Sequence, residues 1–318
     1  MSINKIATQY IKNGYQVIPL KSDKTPMIYS WGWDKPIFEK QVNQLFTEDV
    51  ESIGLLMGGK TNLLAIDFDL KYDTSGTLWE DFKKSANSSV LKKCRVHKTK
   101  NNGYHLIFKT EITNLQNKKL ANRETTDDEK KDTLLKSMLK YPNDFSKALK
   151  TSINDKVRVL IETRANGGYI AIPPTAGYKV VHDIPFKQLS EAETNHLLEV
   201  ARSFNSYIIP VVDYNRDIID DKNDNIFNNY NKTKCSLQVL KDNGWEEVSR
   251  NENSARLKRP GQTSASSSAL YDLETKVFTC FSTSTEFDPG KSYLPIDVLA
   301  MLNFNGDYKQ TLKFILNK

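Results

Sequence analysis

Three acidic residues follow apolar runs with a spacing that suits a metal site: Asp67, Asp69 and Glu162. Side chains alternate faces along a β-strand, so Asp67 and Asp69 point to the same side of a strand that begins near Leu63. Glu162 ends a second apolar run, which begins at Val157. Two carboxylates this close repel each other unless a cation lies between them, and Mg²⁺ prefers oxygen ligands. The pattern predicts one or two metals for phosphoryl chemistry, although Asp-x-Asp also occurs in ordinary acidic loops.

A histidine in a basic stretch gives a second signal. His105 lies in a strand-like segment on the face opposite Tyr104, and the stretch from Lys92 to Lys109 contains six Lys and Arg residues and no acidic residue. A triphosphate needs both metal ions and positively charged donors, so a basic strand pair beside an acidic edge suits a nucleotide. Taken alone, the pattern also fits a structural histidine beside a solvated basic surface.

The segment after Glu162 adds an arginine and two glycines. Arg164 shares the predicted face of Glu162, from which it can reach a phosphate. Gly167 and Gly168 allow a ligand to approach the backbone closely. A double glycine is equally an ordinary hairpin turn, so this segment supports the site only together with the other two signals.

Apolar periodicity places these residues on short strands flanked by helices. Helices are predicted at residues 3–12, 78–86, 190–204 and 307–316. Strands are predicted at residues 15–20, 54–59, 63–69, 94–99, 104–109, 157–162 and 169–172.

Shifts in composition divide the chain into a larger and a smaller domain. Residues 114–154 are charged and polar, and we interpret them as an insertion that contains one modest amphipathic helix. Residues 211–234 are rich in Asn and Asp and predict a linker between a catalytic domain at residues 1–210 and a small accessory domain at residues 235–318. Two domains also agree with the length, at about 150 residues per domain.

Composition excludes several classes of protein. The 318 residues carry a formal charge of +6 and 10% aromatic residues, too many for a disordered chain. No apolar run reaches the ~18 residues of a membrane span, and the first residues lack the apolar core of a signal peptide, so we expect a cytoplasmic protein and no membrane partner. Three cysteines and four histidines, widely spaced, form neither a disulfide framework nor a sequence-local zinc site.

Six short motifs occur in a fixed order between Ala7 and Thr175. They lie at residues 14–20, 24–26, 53–58, 66–69, 103–105 and 162–169. This ordered set resembles the archaeo-eukaryotic primase superfamily, and more narrowly the bifunctional primase/polymerase (prim-pol) domains of phages and plasmids. The resemblance implies an α/β (α+β) fold with an RRM-like antiparallel catalytic sheet, an N-terminal α/β unit and a small C-terminal β-rich domain.

The resemblance also implies roles for individual residues. The metal ligands would be Asp67, Asp69 and Glu162, with Mg²⁺ or Mn²⁺ as the cofactor, and His105 would contact the phosphates of the incoming nucleotide. Further nucleotide-binding residues would be Lys98, Lys100, Gly103 and Arg164. The sequence departs from the superfamily at Gly103, where a serine is common, and the insertion lengthens the stretch before Glu162.

The C-terminal segment resembles a small β-rich module that follows phage primase domains. Relatives of that module can carry zinc, but this segment lacks the set of cysteines, so we predict no zinc. Lys258 and Arg259 are candidates for contacts to DNA phosphates. Alternatively, the module serves only for packing and the basic pair is simply exposed.

These observations predict a metal-dependent DNA primase/polymerase of a mobile element in a bacterial host. Its partners would be a single-stranded DNA template, a primer 3′ end, nucleoside triphosphates, and a replicative helicase on a longer chain or a separate one. One alternative is a Toprim-type nuclease, but there the glutamate precedes the Asp-x-Asp pair, whereas Glu162 follows it. The others are a non-catalytic, RRM-like protein that binds single strands through aromatic stacking, and an initiator or helicase-loading factor with a silent site.

Overall fold

Short strands alternate with helices in the computed structural model, which describes residues 2–207, 226–263 and 267–317. In these residues the α-helices are α1 (Ile3–Lys12), α2 (Val42–Leu45), α3 (Leu78–Ser85), α4 (Ser88–Leu91), α5 (Asp127–Lys140), α6 (Phe145–Ile153), α7 (Glu191–Arg202), α8 (Ile226–Thr233), α9 (Leu237–Asp242), α10 (Pro295–Phe304) and α11 (Tyr308–Leu316). The β-strands are β1 (Val17–Leu20), β2 (Ser52–Leu56), β3 (Leu63–Phe68), β4 (Arg95–Lys98), β5 (Tyr104–Thr110), β6 (Lys119–Glu124), β7 (Val157–Arg164), β8 (Tyr169–Ile172), β9 (Lys179–His182), β10 (Gln188–Leu189), β11 (Glu246–Arg250), β12 (Ser254–Lys258), β13 (Ala269–Asp272), β14 (Phe278–Cys280) and β15 (Ser292–Tyr293). None of the helices in the described ranges is both long enough and apolar enough to cross a bilayer.

The larger sheet carries the motifs of the predicted site. Its strands run in the order β6-β7-β3-β5-β4-β9, and β10 adds a short parallel pairing to β5. All neighbours along the main path are antiparallel. The expected α+β fold with an antiparallel sheet is therefore confirmed.

A smaller sheet, in the order β1-β2-β8, packs against one face of the larger one. Buried residues of the smaller sheet, such as Val17 and Ile53, share one apolar cluster with Ala65 and Ile107 of the larger sheet and with Ala7 of α1. Although β2 and β3 follow each other in the sequence, they belong to different sheets. The connection between them therefore carries the chain from one layer to the next.

Residues 114–154 differ from the prediction of a polar insertion with one modest helix. They contain β6, which is a strand of the larger sheet, and two helices, α5 and α6. The β6 sequence Lys-Leu-Ala-Asn-Arg-Glu has little apolar alternation, and its pairing with β7 contains two irregularities, as is common at sheet edges. A capping box between Thr126 and Glu129 starts α5.

The chain divides into two compact units, Met1–Leu197 and Leu198–Lys318. The division falls within α7, before the predicted end of the catalytic domain at residue 210. Of the predicted linker, residues 211–225 lie outside the described residues. Residues 226–233 form α8, in which the Asn231 side chain accepts a hydrogen bond from the backbone of Ile296 at 2.9 Å. This part of the predicted linker is thus a packed helix of the second unit.

The second unit contains a five-stranded antiparallel sheet in the order β11-β12-β13-β14-β15. Aromatic residues fill its core, because Trp245, Tyr271, Phe278 and Phe287 are each no more than 2% exposed and lie in one apolar cluster. Helices α9 and α10 contribute Leu240 and Val298 to the same cluster, so their apolar faces complete this core.

Candidate active site

One row of side chains crosses four neighbouring strands on the face of the larger sheet that also carries Ala65. Asp67 on β3 is the direct cross-strand partner of Glu162 on β7 and of His105 on β5. His105 in turn pairs with His97 on β4. Strands lie only about 4.8 Å apart, so residues in one row are near neighbours. The register therefore brings together two of the three predicted carboxylates and the predicted histidine.

Asp67 is a largely buried carboxylate. Its side chain is 22% exposed and stands at the end of β3, between the fully buried Ile66 and Phe68. Burial raises the pKa of Asp67 to about 6; the Arg164 guanidinium opposes this rise and the neighbouring carboxylate of Asp69 adds to it. The ionised form is thus only partly compensated by its surroundings, which is the condition in which a carboxylate gains most from a bound cation.

Glu162 lies on the other side of Asp67 and is already paired with a cation. Arg164, two residues along β7 and on the same face, donates a hydrogen bond to Oε1 of Glu162. Burial still raises the pKa of Glu162, and the carboxylates of Asp67 and Asp69 contribute to that rise. Lys119 of β6 is the cross-strand partner of Glu162 on its outer side. Two positive groups therefore flank this carboxylate.

His105 is a buried, neutral imidazole. It is 4% exposed, and its Nε2 lies 3.5 Å from Oδ1 of Asp67. Burial, helped by the positive charges of Lys24 and Arg164, lowers the pKa of His105 to about 3. At neutral pH the ring therefore offers one N–H donor and no charge.

Asp69 follows β3 directly, at the start of the 3-10 turn Leu70–Tyr72. Its backbone N–H donates to the carbonyl oxygen of Leu160 on β7 at 2.9 Å, and its Oδ2 lies 3.1 Å from Nζ of Lys71. On the other side, Gly103 approaches the end of β3 so closely that a side chain would collide with the backbone there. The place of Asp69 is therefore fixed by backbone contacts from both neighbouring strands.

Lys24 joins the site from the loop after β1, a residue to which the sequence analysis assigns no role. Its positive charge lowers the pKa of both Asp67 and His105. The hydroxyl of Tyr169 donates to the carbonyl oxygen of Lys24 at 2.8 Å, and the ammonium lies 5.3 Å from the centre of the Tyr178 ring. The only signal in the sequence was its position in one of the six ordered motifs.

Comparison with protein families assigns most of the first unit. The model of the family described as bifunctional DNA primase/polymerase, N-terminal, matches residues 7–192, which include every residue of the row. The chain belongs to this prim-pol family. Membership makes it a primase/polymerase in general terms, a nucleotidyltransferase whose substrates are nucleotides and DNA. No curated protein matches the chain.

The prim-pol site offers donors that fit a divalent cation. Asp67 and Glu162 supply carboxylate oxygens on neighbouring strands and Asp69 adds its own just after β3; the charge of Asp69 raises the pKa of both Asp67 and Glu162. Within the described residues no three Asp, Glu, His or Cys side chains already converge on one point. Instead, Glu162 binds Arg164 and Asp69 pairs with Lys71, so these two cations occupy the oxygens that a metal would use. The donor chemistry and the raised pKa of Asp67 fit Mg²⁺ or Mn²⁺.

The two lysines predicted to bind the nucleotide lie outside the row of site residues. Lys98 pairs with Tyr104 on β5, one residue out of phase with the row, so its side chain lies on the opposite face of the sheet from Asp67. This position argues against a contact between Lys98 and a nucleotide bound at the row. Lys100 is exposed in the turn between β4 and β5, where its side chain packs on Gly177. That turn leads into Gly103, which lies against the backbone of Phe68, the residue before Asp69.

Residues 54–61 also spell Gly-x-x-x-x-Gly-Lys-Thr, the pattern of a nucleotide-binding P-loop. Such a loop needs a helix after it and free backbone N–H groups for phosphate. Here Gly54 lies inside β2, and a single 3-10 turn leads directly to β3. The N–H of Gly59 donates to Oδ1 of Asn166 at 2.7 Å, and the Trp33 ring covers Gly59. The segment is therefore the connection between the two sheets and has no P-loop geometry.

The predicted DNA-binding pair lies in the second unit, outside the prim-pol match. Lys258 ends β12, opposite Glu246. Arg259 is 27% exposed and its Nε lies 3.9 Å from Oε1 of Glu199, so its side chain faces the helix α7. A role for either residue in DNA binding stays a prediction.

Proposed function

We propose that this prim-pol chain makes and extends primers on single-stranded DNA by template-directed, metal-dependent nucleotidyl transfer. The observation that carries the proposal is the cross-strand row of Glu162, Asp67 and His105, with Lys24 and Arg164 beside it. A carboxylate edge next to two cations and a neutral N–H donor matches the charge pattern of a nucleoside triphosphate with its metal.

The residues of the site have separate roles in the transfer. Asp67, Asp69 and Glu162 would hold Mg²⁺ or Mn²⁺, which supplies charge neutralisation and a more acidic 3′-hydroxyl when bound. Lys24 and Arg164 bind the negative triphosphate, and His105 donates a hydrogen bond to it from a ring without charge. The primer 3′ oxygen then forms a bond to the α-phosphorus as its proton leaves to solvent, and the bond from that phosphorus to the pyrophosphate oxygen breaks.

Two of the three carboxylates of the site are held in ion pairs before any substrate binds. Arg164 neutralises Glu162 in the structure, and Lys71 does the same for Asp69. If the carboxylates held a metal ion together with a triphosphate, Arg164 and Lys71 would be released and could bind phosphate oxygens. This exchange keeps the total number of unpaired charges low before and after binding.

The test is template-dependent nucleotide incorporation on primed and unprimed single-stranded DNA, with Mg²⁺ or Mn²⁺. The double variant Asp67→Ala/Asp69→Ala is compared with Asp127→Ala/Asp128→Ala, a second acidic pair whose side chains are each 91% exposed on α5. We expect the first to lose at least about 100-fold in rate and the second to match the wild type. Wild-type rates in the Asp67/Asp69 variant would overturn the site. Single-strand binding without incorporation, under every nucleotide mixture, would instead favour a non-catalytic binding protein.

The setting of this activity is part of the same proposal. We propose a mobile genetic element that replicates in the cytoplasm of a bacterial host, with a replicative helicase as partner, either on a longer form of this chain or as a separate protein. The segment from residue 54 to residue 61 lacks P-loop geometry, so unwinding has to come from elsewhere than this segment. Stimulation of primer synthesis by an added replicative helicase, on forked but not on single-stranded templates, is the measurement that tests this partnership.

A further inference from the structure

Two buried histidines stand side by side on β4 and β5, and each keeps one ring nitrogen without a partner. His97 and His105 are direct cross-strand partners, with exposures of 0% and 4%. In the part of the chain that the structure describes, Nδ1 of each ring is buried and has no hydrogen-bond partner. Leaving a buried polar nitrogen unpaired costs free energy, so two such atoms on adjacent residues call for a common explanation.

The outer nitrogens of the two rings decide where each proton sits. Nε2 of His97 is 2.9 Å from Nε of Arg95, and because a guanidinium only donates, this Nε2 carries no hydrogen and Nδ1 of His97 carries it. Nε2 of His105 faces a carboxylate oxygen of Asp67 at 3.5 Å, so it carries the hydrogen and Nδ1 of His105 is a bare acceptor. Both rings are buried, and burial disfavours the charged imidazolium, so each ring carries one hydrogen. The two unpaired atoms are therefore a donor and an acceptor.

We propose that His97 is a positioning residue for His105, donating its Nδ1 hydrogen toward the Nδ1 lone pair of His105 and so holding that ring in the Nε2–H form. A rotation of either ring or one bridging water completes the contact. The inference rests on the proposed function, in which the Nε2–H of His105 serves the nucleotide.

Arg95 is the anchor of this arrangement. Its guanidinium donates to Oδ1 of Asp183 at 2.7 Å and to the carbonyl oxygen of Ile184 at 2.9 Å, in addition to His97. These contacts fix the guanidinium, and with it the acceptor role of Nε2 of His97. Each residue thus donates a hydrogen toward the next, from Arg95 to His97, His105 and Asp67, across three adjacent strands. Functional histidines are commonly oriented in this way by a hydrogen bond at their second ring nitrogen.

Two variants of His97 separate positioning from packing. His97→Gln keeps an acceptor near the place of Nε2 for Arg95 but has no donor near the place of Nδ1, whereas His97→Asn keeps a donor there and loses the contact to Arg95. We expect His97→Gln to lower kcat/KM for the nucleotide by about tenfold or more, with single-strand affinity unchanged, and His97→Asn to stay much closer to the wild type. Wild-type kinetics in His97→Gln would overturn the proposal. So would equal losses in both variants that follow their melting temperatures, since that is the result of packing alone.

Long-range ¹H–¹⁵N spectra of histidine-labelled full chain at pH 7 test the same idea without substrate. We expect His97 as the Nδ1–H form and His105 as the Nε2–H form, with His105 becoming a mixture in His97→Gln. An Nδ1–H form of His105 in the wild type would contradict the positioning role, even if the enzyme is active. If the expected forms are found but no nucleotide is incorporated, only the proposed function fails.

Discussion

The backbone of Gly103 lies so close to the carbonyl oxygen of Phe68 that a β-carbon at residue 103 would stand 2.1 Å from it. No such contact occurs between real atoms, so the glycine allows β5 to meet the end of β3 immediately before Asp69. Thr99 closes the other side, with its Oγ1 at 3.0 Å from the same point. The glycine at this motif position therefore serves the placement of an acidic residue, through backbone packing.

Gly103→Ala is expected to destabilise the fold by about 1–3 kcal/mol, because the end of β3 must shift to make room. Activity should fall further than stability, since the shift moves Asp69. The matched control is Gly76→Ala, where φ is +70° and no atom lies within 4 Å of the added carbon. That variant should lose about 1 kcal/mol from backbone strain and keep its activity. Urea unfolding and incorporation rates of both variants decide the matter, and an active Gly103→Ala would show that the end of β3 has room to move.

The raised pKa of Asp67 predicts how stability responds to pH and to metal. Its pKa is about 6 in the folded chain and near 3.8 otherwise, so the folded state retains the proton longer. Ionisation therefore removes up to about 3 kcal/mol of stability as the pH rises from about 4 to 6 in the absence of metal. Asp67→Asn cannot ionise, so it should unfold at a higher temperature than the wild type at pH 7.5 and at a similar one near pH 4.

Mn²⁺ should oppose this loss, because it binds the ionised form. We expect it to raise the melting temperature of the wild type at pH 7.5, to do so less at pH 5, and to leave Asp67→Asn unchanged. Asp127→Asn, which alters an exposed carboxylate, serves as the control and should behave as the wild type. An equal metal shift in Asp67→Asn would show that the cation binds elsewhere.

Arg123 connects the excursion between β6 and β7 to the turn after Asp69. Its Nε donates to the carbonyl oxygen of Tyr72 at 2.6 Å, and its two terminal nitrogens bind the carboxylate of Glu129 at 2.6 and 2.7 Å. Arg123→Ala should cost about 2 kcal/mol or more and lower incorporation, because the turn that follows Asp69 loses its anchor. Arg250→Ala removes a similar two-pronged contact to Glu247 in the second unit and should cost less than 1 kcal/mol or so, with no change in rate. Equal kinetic effects of the two variants would refute the anchoring role.

Lys24 should act on nucleotide affinity. Removing its ammonium in Lys24→Ala is expected to raise KM for the nucleotide by about tenfold, the value of one charge-assisted hydrogen bond, with a smaller change in kcat. Lys21→Ala, in the same loop, is the control and should leave both constants as they are. Steady-state kinetics at saturating template measure the difference, and a change in template affinity with no change in nucleotide KM would assign Lys24 to the DNA.

Local patterns in the sequence predicted the strands and the faces of the row, but they did not supply the register. Alternation alone puts Asp67 and Asp69 on one side of β3. Whether Lys98 or His97 shares that side depends on the number of residues in the turn between β4 and β5, and the structure places His97 there. Composition is enough to recognise a basic stretch. The face of the sheet on which each basic side chain lies follows only from the register between β4 and β5.

Contacts between distant segments explain the other differences. Lys24 reaches the row because Tyr169, far along the chain, binds its carbonyl oxygen. Strand β6 was missed because an edge strand needs little apolar alternation: its partner β7 defines it through hydrogen bonds, and Leu120 and Ala121 are its buried apolar residues. Neither relationship has a signature within a short window of sequence.

The last residue of β6, Glu124, is the direct cross-strand partner of the first residue of β7, Val157. The chain thus leaves the larger sheet and returns to it at a single point, so residues 125–156 behave as an exchangeable cassette. Another folded segment with closely spaced ends can take their place without altering the register of the strands that hold the acids. Any replacement must provide negative charges for Arg123 and Arg158, which Glu129 and Asp155 supply in this chain.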